Sequence, residues 1–199
     1  MFDLGPAAQR LSRVVHGVRD DQLTAPTPCP DYTVGDLLDH VHGLASAFTM
    51  AARKQSLPGG DQAPSGDASR LPEDWRTAIA VRLDALAAAW HDEAAWEGTA
   101  TVAGVTMPGP ALAAVAVDEV VVHGWDLAVA TDQRLEVDET SLAVASGFVE
   151  ALSGPEQAEV RAGIFGPVVP VPENASPLDR LLGGTGRDPA WRSSRATTR

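Results

Sequence analysis

The sequence predicts an all-α fold, a four-helix bundle with long crossover loops, and three observations carry that expectation. Four segments repeat apolar residues at three- and four-residue spacing, the period of a single helix face. Aromatic residues make up 5% of the chain while alanine and valine abound, a composition suited to closely packed helices. Gly- and Pro-rich stretches between the periodic segments are too long for tight up-down turns, so crossovers are expected. A chain of 199 residues is expected to form one domain, residues 1–190, followed by a disordered tail at 191–199.

The first helix is expected over residues 3–18, where Leu4, Ala7, Ala8, Leu11, Val14 and Val15 share a face. Pro28 and Pro30 block earlier helix in TPCPDYTVGD, and Thr33 with Asp36 forms an acidic variant of the capping box. From there Val34, Leu37, Leu38, Val41, Leu44, Ala45 and Phe48 form a stripe running to about residue 53. Residues 56–74 read as a loop with little regular structure. The third helix is expected over 75–94, carrying Ile79, Val81, Leu83, Leu86, Ala87 and Trp90. WEGTATVAGVTMPG then alternates around Ala103-Gly104, as a short β-hairpin or an extended crossover would. The fourth helix is expected over 110–131, with Pro110 in its first turn. A further helical piece at 139–152 and a small helical and extended C-terminal part, with an apolar turn at 178–182, complete the chain.

The formal net charge of −12 argues against a nucleic-acid partner, which would need clustered Lys and Arg, and against an anionic membrane surface. Cys29 is the sole cysteine, so no intramolecular disulfide can form. The N-terminus lacks the basic start and apolar core of a secretory signal. The most apolar segment, 110–130, is interrupted by Asp118, Glu119 and Asp126, which argues against a transmembrane span. The expected location is the cytoplasm.

That same segment carries the chemistry. Projected as a helix, Leu112, Ala116, Leu127 and Ala130 define one face, and Glu119 and His123 fall within about 40° of its centre. A buried carboxylate without a partner is costly, so something must compensate Glu119. It can be a Glu119–His123 hydrogen bond, an arginine from another helix, or a divalent metal held by both side chains. His40 and His42, in LLDHVHG, flank the stripe of the second helix, and periodicity does not choose between them. Either would complete a two-His, one-carboxylate set with open positions, the arrangement of a catalytic zinc or non-haem iron site. Asp126 lies three residues beyond His123, where it could orient that imidazole, or bind backbone or an arginine.

At these residues the chain resembles a known family. TPCPDYTVGDLLDHVHG is similar to the motif opening the second helix in a group of actinobacterial metal-binding proteins of the DinB-like superfamily. These are related to the metal-binding domain of mycothiol-dependent maleylpyruvate isomerase. DEVVVHGWDLAVAT resembles the group's second signature, and PVVPVPENASPLDRLLGGTGRDPAW its C-terminal segment. Tyr32 stands where tryptophan is usual, at a packing position. The resemblance implies a four-helix bundle with His40, Glu119 and His123 as metal ligands, usually to zinc, with nickel or iron as alternatives. His42 matches no fixed ligand of the pattern. The chain is too short for the sterol-carrier-like domain that the isomerases add, so the resemblance implies the metal-binding module alone.

Two functions follow as expectations. One is a metal-dependent enzyme of the thiol-transferase or thiol-dependent isomerase type, taking a small-molecule substrate and a thiol such as mycothiol; the same ligands would also serve a hydrolase that activates water. In it Asp126 or His42 would orient a ligand or move a proton. The other is a non-catalytic, metal-containing module that binds a small ligand. The bland alternative is a helical protein with a satisfied polar core pair. Cys29 reads as a packing residue in a turn, His16 and His91 as surface or core-edge residues, Trp125 as packing, and GGTGRDP as a turn that lacks the phosphate-loop spacing. No heptad seam argues for a dimer.

Overall fold

Each of the four periodic segments is helical in the computed structural model, which describes residues 1–56 and 65–193. Helix α1, Gly5–Gly17, has Pro6 in its first turn and buries Ala7, Ala8, Leu11, Val14 and Val15. Helix α2, Val34–Ala52, opens on the expected capping box. The Asp36 N–H donates to Thr33 Oγ1 at 3.3 Å, and the Thr33 N–H donates to Asp36 Oδ2 at 3.0 Å. Two otherwise orphaned N–H groups are satisfied reciprocally, which sets where α2 begins.

Helix α3 is shorter than expected, running Trp75–Ala89, and a separate short helix α4 follows at Glu93–Trp96. The Asp92 carboxylate accepts the Ala94 N–H at 3.0 Å and restarts the helix as a new N-cap. The segment after it is a hairpin: β1, Thr99–Val102, pairs antiparallel with β2, Val105–Pro108. Ala103 and Gly104 both have positive φ, 54° and 76°, as a two-residue turn matched to the strand twist requires. Helix α5, Gly109–Ala130, is buried on most of its circumference, which explains its near-continuous apolar sequence.

α1 and α2 each pack against both α3 and α5, giving the bundle, while α6, Glu139–Ala151, covers an outer face of α5. Leu11, Leu37, Leu38, Ile79, Leu83, Leu86, Leu112 and Leu127 are fully enclosed in the shared core. Beyond α6 come a short helix α7, Ala158–Ala162, and α8, Pro177–Gly184, which packs on α6. The all-α reading thus holds, with one two-stranded sheet among the described residues. None of the described helices is long and apolar enough to cross a membrane.

Part of the expected 56–74 loop, residues 57–64, lies outside the described residues. Its remainder includes a 3-10 turn at Ala68–Arg70, which composition did not predict. Carboxylates of α2 hold this turn in place. Asp36 Oδ1 accepts the Ala68 N–H at 2.8 Å, and Asp39 Oδ2 accepts the Asp67 N–H at 3.0 Å and Arg70 Nη2 at 2.7 Å. Of the expected tail at 191–199, Trp191 packs against the core and Ser193 is buried, while 194–199 lie outside the described residues.

Candidate metal centre

α2 and α5 pack side by side, and this contact brings His40 across to Glu119 and His123. The apolar stripe of α2 faces the core, so a residue on its flank, His40, is directed along the α5 surface. One ligand atom from each of the three residues lies within 4.8 Å of the others. His123 Nε2 is 3.0 Å from Glu119 Oε2, and His40 Nε2 is 4.0 Å from the same oxygen. The two imidazoles meet edge to face with centroids 5.0 Å apart, and the Tyr32 ring lies against His40 at 5.1 Å.

The cluster is largely buried, and Glu119 is its most exposed member. The Glu119 side chain retains 24% exposure, against 13% for His40 and 9% for His123. On the core side, Glu119 borders an apolar space of about 10 Å³ lined by Leu11, Val41, Leu44 and Phe48, room for one water at most.

Electrostatics bind the cluster together. Burial pushes the Glu119 carboxyl up, but the hydrogen bond and charge of His123, with the charges of His40 and Arg187, outweigh it and hold Glu119 below its usual range. Burial alone would depress His123; its bonds to Asp126 and Glu119 overcome this and raise its pKa to about 9. Asp126 is fully buried, and its Oδ2 lies 3.1 Å from His123 Nδ1. His123 thus donates from Nδ1 to Asp126 and from Nε2 to Glu119 at 3.0 Å, and a metal bound at Nε2 would take the place of the Nε2 proton.

His42 does not join the group. It lies on the other flank of α2, half-buried, where burial and the charge of Arg82 lower its pKa. His16 and His91 are exposed, and Trp125 is buried. Cys29 sits in the turn before α2, its N–H donating to Thr27 Oγ1 at 3.1 Å; burial pushes its thiol up, so the thiol is not activated.

Two residues of the site's surroundings were not singled out in the sequence. Arg187, inside the stretch read as a turn, donates from Nη2 and Nε to Asp126 at 3.1 and 3.4 Å. Its signal was indirect: a buried Asp126 needs a cation, but nothing local names which one. Asp118 is 3% exposed, and its Oδ1 has no hydrogen-bond partner among the described residues. Burial first, then the adjacent Glu119, push its carboxyl well above the usual range.

Two imidazole nitrogens and one carboxylate oxygen, converging from two helices, can hold a divalent ion such as zinc with positions to spare. Fold and site together define the class: an all-α DinB-like bundle with a candidate metal centre between α2 and α5. The family model of the mycothiol maleylpyruvate isomerase N-terminal domain matches residues 4–128, and the chain belongs to that family. Uncharacterized proteins from two strains of Mycobacterium tuberculosis are 29% identical over 189 residues, covering 91% of this chain and 93% of theirs. The crystal structure of the mycothiol-dependent maleylpyruvate isomerase superposes with a TM-score of 0.57 at 18% identity. That superposition covers 73% of this chain and 66% of the isomerase chain, and shows a shared fold.

Proposed function

We propose that this protein binds one divalent metal, zinc in the first instance, through His40, Glu119 and His123, and uses it to activate a small thiol such as mycothiol. The observation that carries the reading is the convergence of three donor atoms within 4.8 Å, from two helices of a chain in the mycothiol isomerase family. A bound divalent ion supplies Lewis acidity, lowering the pKa of a thiol or a water so that it reacts as an anion near neutral pH. The residues do the rest. Asp126 holds the His123 ring by its Nδ1–H, so that Nε2 is the nitrogen that would donate its lone pair to the ion once its proton has left. Glu119, the most exposed of the three ligands, marks the side from which the thiol and an electrophilic small molecule would approach. The thiol proton leaves to solvent; in an S-transfer the sulfur forms a C–S bond as a leaving group departs with its electron pair, and in an isomerisation it adds to an activated double bond and is expelled again after rotation about the resulting single bond.

The test has two stages. Elemental analysis of protein purified without chelator is expected to find about one equivalent of zinc, nickel or iron; none would end the reading. Turnover is then assayed with low-molecular-weight thiols against a panel of electrophiles. Metal without thiol-dependent turnover would move the assignment to a hydrolase or to a non-catalytic ligand-binding module.

A further inference from the structure

We infer that Arg187 is a positioning residue for the metal centre, acting through Asp126, so that docking of the C-terminal segment and metal binding are coupled. This rests on the metal-centre reading above and adds a residue outside the family-matched region, which ends at residue 128.

The geometry is a chain of three side chains. His123 Nδ1 lies 3.1 Å from Asp126 Oδ2, and Arg187 Nη2 donates to that same oxygen at 3.1 Å. The Asp126 side chain has no exposure and that of Arg187 only 11%. A carboxylate removed from water holds its charge only while cationic or N–H partners face it. Without Arg187, the His123 N–H would be its one remaining side-chain partner among the described residues. Asp126 would then be free to rotate, and the imidazole would lose the acceptor that fixes its orientation.

The arginine is aimed by the end of α8. The Gly186 N–H donates to Gly183 O at 3.1 Å and the Arg187 N–H to Leu182 O at 2.9 Å, the paired bonds of a Schellman motif. Gly186 takes the left-handed position, with φ of 86°. A Cβ there would lie 2.8 Å from Gly166 Cα, so only glycine lets the two backbones pass. Arg187 Nη1 also donates to Thr185 O at 3.1 Å, which fixes the guanidinium against its own turn. The turn therefore delivers a cation to α5 across 61 residues of chain.

Coupling is reciprocal: if the docked segment strengthens metal binding, bound metal must strengthen docking by the same factor. The experiment compares wild type, Arg187→Ala, Arg187→Lys, Asp126→Asn and the Asp126→Asn/Arg187→Ala double variant. Zinc affinity is measured by competition with a chromogenic chelator. Arg187→Ala is expected to weaken zinc by ~10-fold or more, as loss of groups that orient a ligand does. Arg187→Lys should recover part of this, and the double variant should bind no more weakly than Asp126→Asn alone. In nitrogen NMR of zinc-loaded protein, the His123 Nδ1–H resonance should move in Arg187→Ala and return toward wild type in Arg187→Lys. Zinc should slow amide exchange across residues 181–188 in wild type and lose that effect in Arg187→Ala. Wild-type zinc affinity in Arg187→Ala, or additive losses in the double variant, would overturn the inference while leaving the metal centre intact. Wild type that takes up no zinc would overturn both, whereas wild type that binds zinc but turns over no thiol, with Arg187→Ala still weakened, would fault only the proposed reaction.

Discussion

The α2–α5 contact and the stretch beyond α6 reach the same few ångströms by opposite routes. In the bundle, long helices enclose a continuous core of Leu11, Leu37, Ile79, Leu83 and Leu127, and polar groups stand in that wall at two successive turns of α5. Beyond α6 the helices are short, α7 buries no residue, and Val160, Ile164 and Val168 remain exposed. Yet from the end of α8, which anchors this part to the core through Leu181 and Leu182, Arg187 reaches back to a fully buried Asp126. Packing supplies the donor atoms, and a single charged tether supplies their outer support. A region with little core can therefore matter through one directed interaction, because a buried carboxylate is stabilised by a partner and not by contact area.

The largest expected effect lies in the donor set. His40→Ala and His123→Ala should each reduce metal content from about one equivalent to near none by elemental analysis; unchanged content in both would break the assignment of ligands to the α2–α5 contact. Next is the core. Leu83→Ala should cost about 2–5 kcal/mol in denaturant unfolding, since Leu83 is 1% exposed. Val160→Ala, on the exposed surface of α7, should stay within about 0.5 kcal/mol. Equal losses at the two sites would erase the contrast between the regions.

Glycine positions sharpen it further. Gly186→Ala should destabilise by about 1–3 kcal/mol, because a left-handed φ and a contact with Gly166 both oppose a side chain. Gly147→Ala, in the interior of α6 with nothing within 4 Å of the added carbon, should stabilise by about 0.5–1 kcal/mol. Thermal melts of both variants check the opposite signs.

A further effect concerns acid. Asp138 caps α6 by accepting the Ser141 N–H at 2.9 Å and pairs with Arg10 of α1 at 3.0 Å. Burial raises its carboxyl, but the Ser141 bonds and the Arg10 charge outweigh this and hold it below its usual range. A carboxyl with a depressed folded pKa contributes stability that is full above its unfolded pKa, about 4, and is lost as pH falls through the folded value. Asp138→Asn should cost about 1 kcal/mol at pH 7, roughly 2–4 °C in melting temperature. Melts near pH 3 should show a smaller gap between variant and wild type; a gap that widens on acidification would reverse the assigned sign.

Much of the architecture was legible in local chemistry. Thr33 with Asp36, Pro110 and the alternation around Ala103-Gly104 each announce an element through its own neighbours, and each element is where they point. The third helix was overextended because Asp92, a cap in the structure, looks from sequence like any polar residue on a helix surface. At the centre, Glu119 and His123 were visible as polar residues on an apolar face. His40 was separated from His42 by a resemblance and not by periodicity, since both flank the same stripe. The structure groups His40 with Glu119 and His123, and leaves His42 beside Arg82.

By itself, then, the sequence determined the helices, their caps, the hairpin turn and the polar pair on α5, because spacing along one chain governs backbone geometry and which residues share a helix face. Only the tertiary structure decided which histidine faces that pair, that Asp118 is buried with an oxygen that has no hydrogen-bond partner among the described residues, and that the cation opposite Asp126 is Arg187. Those are relations between residues tens of positions apart, and they arise when helix faces pack against one another and a glycine-capped turn directs a charge back into the bundle.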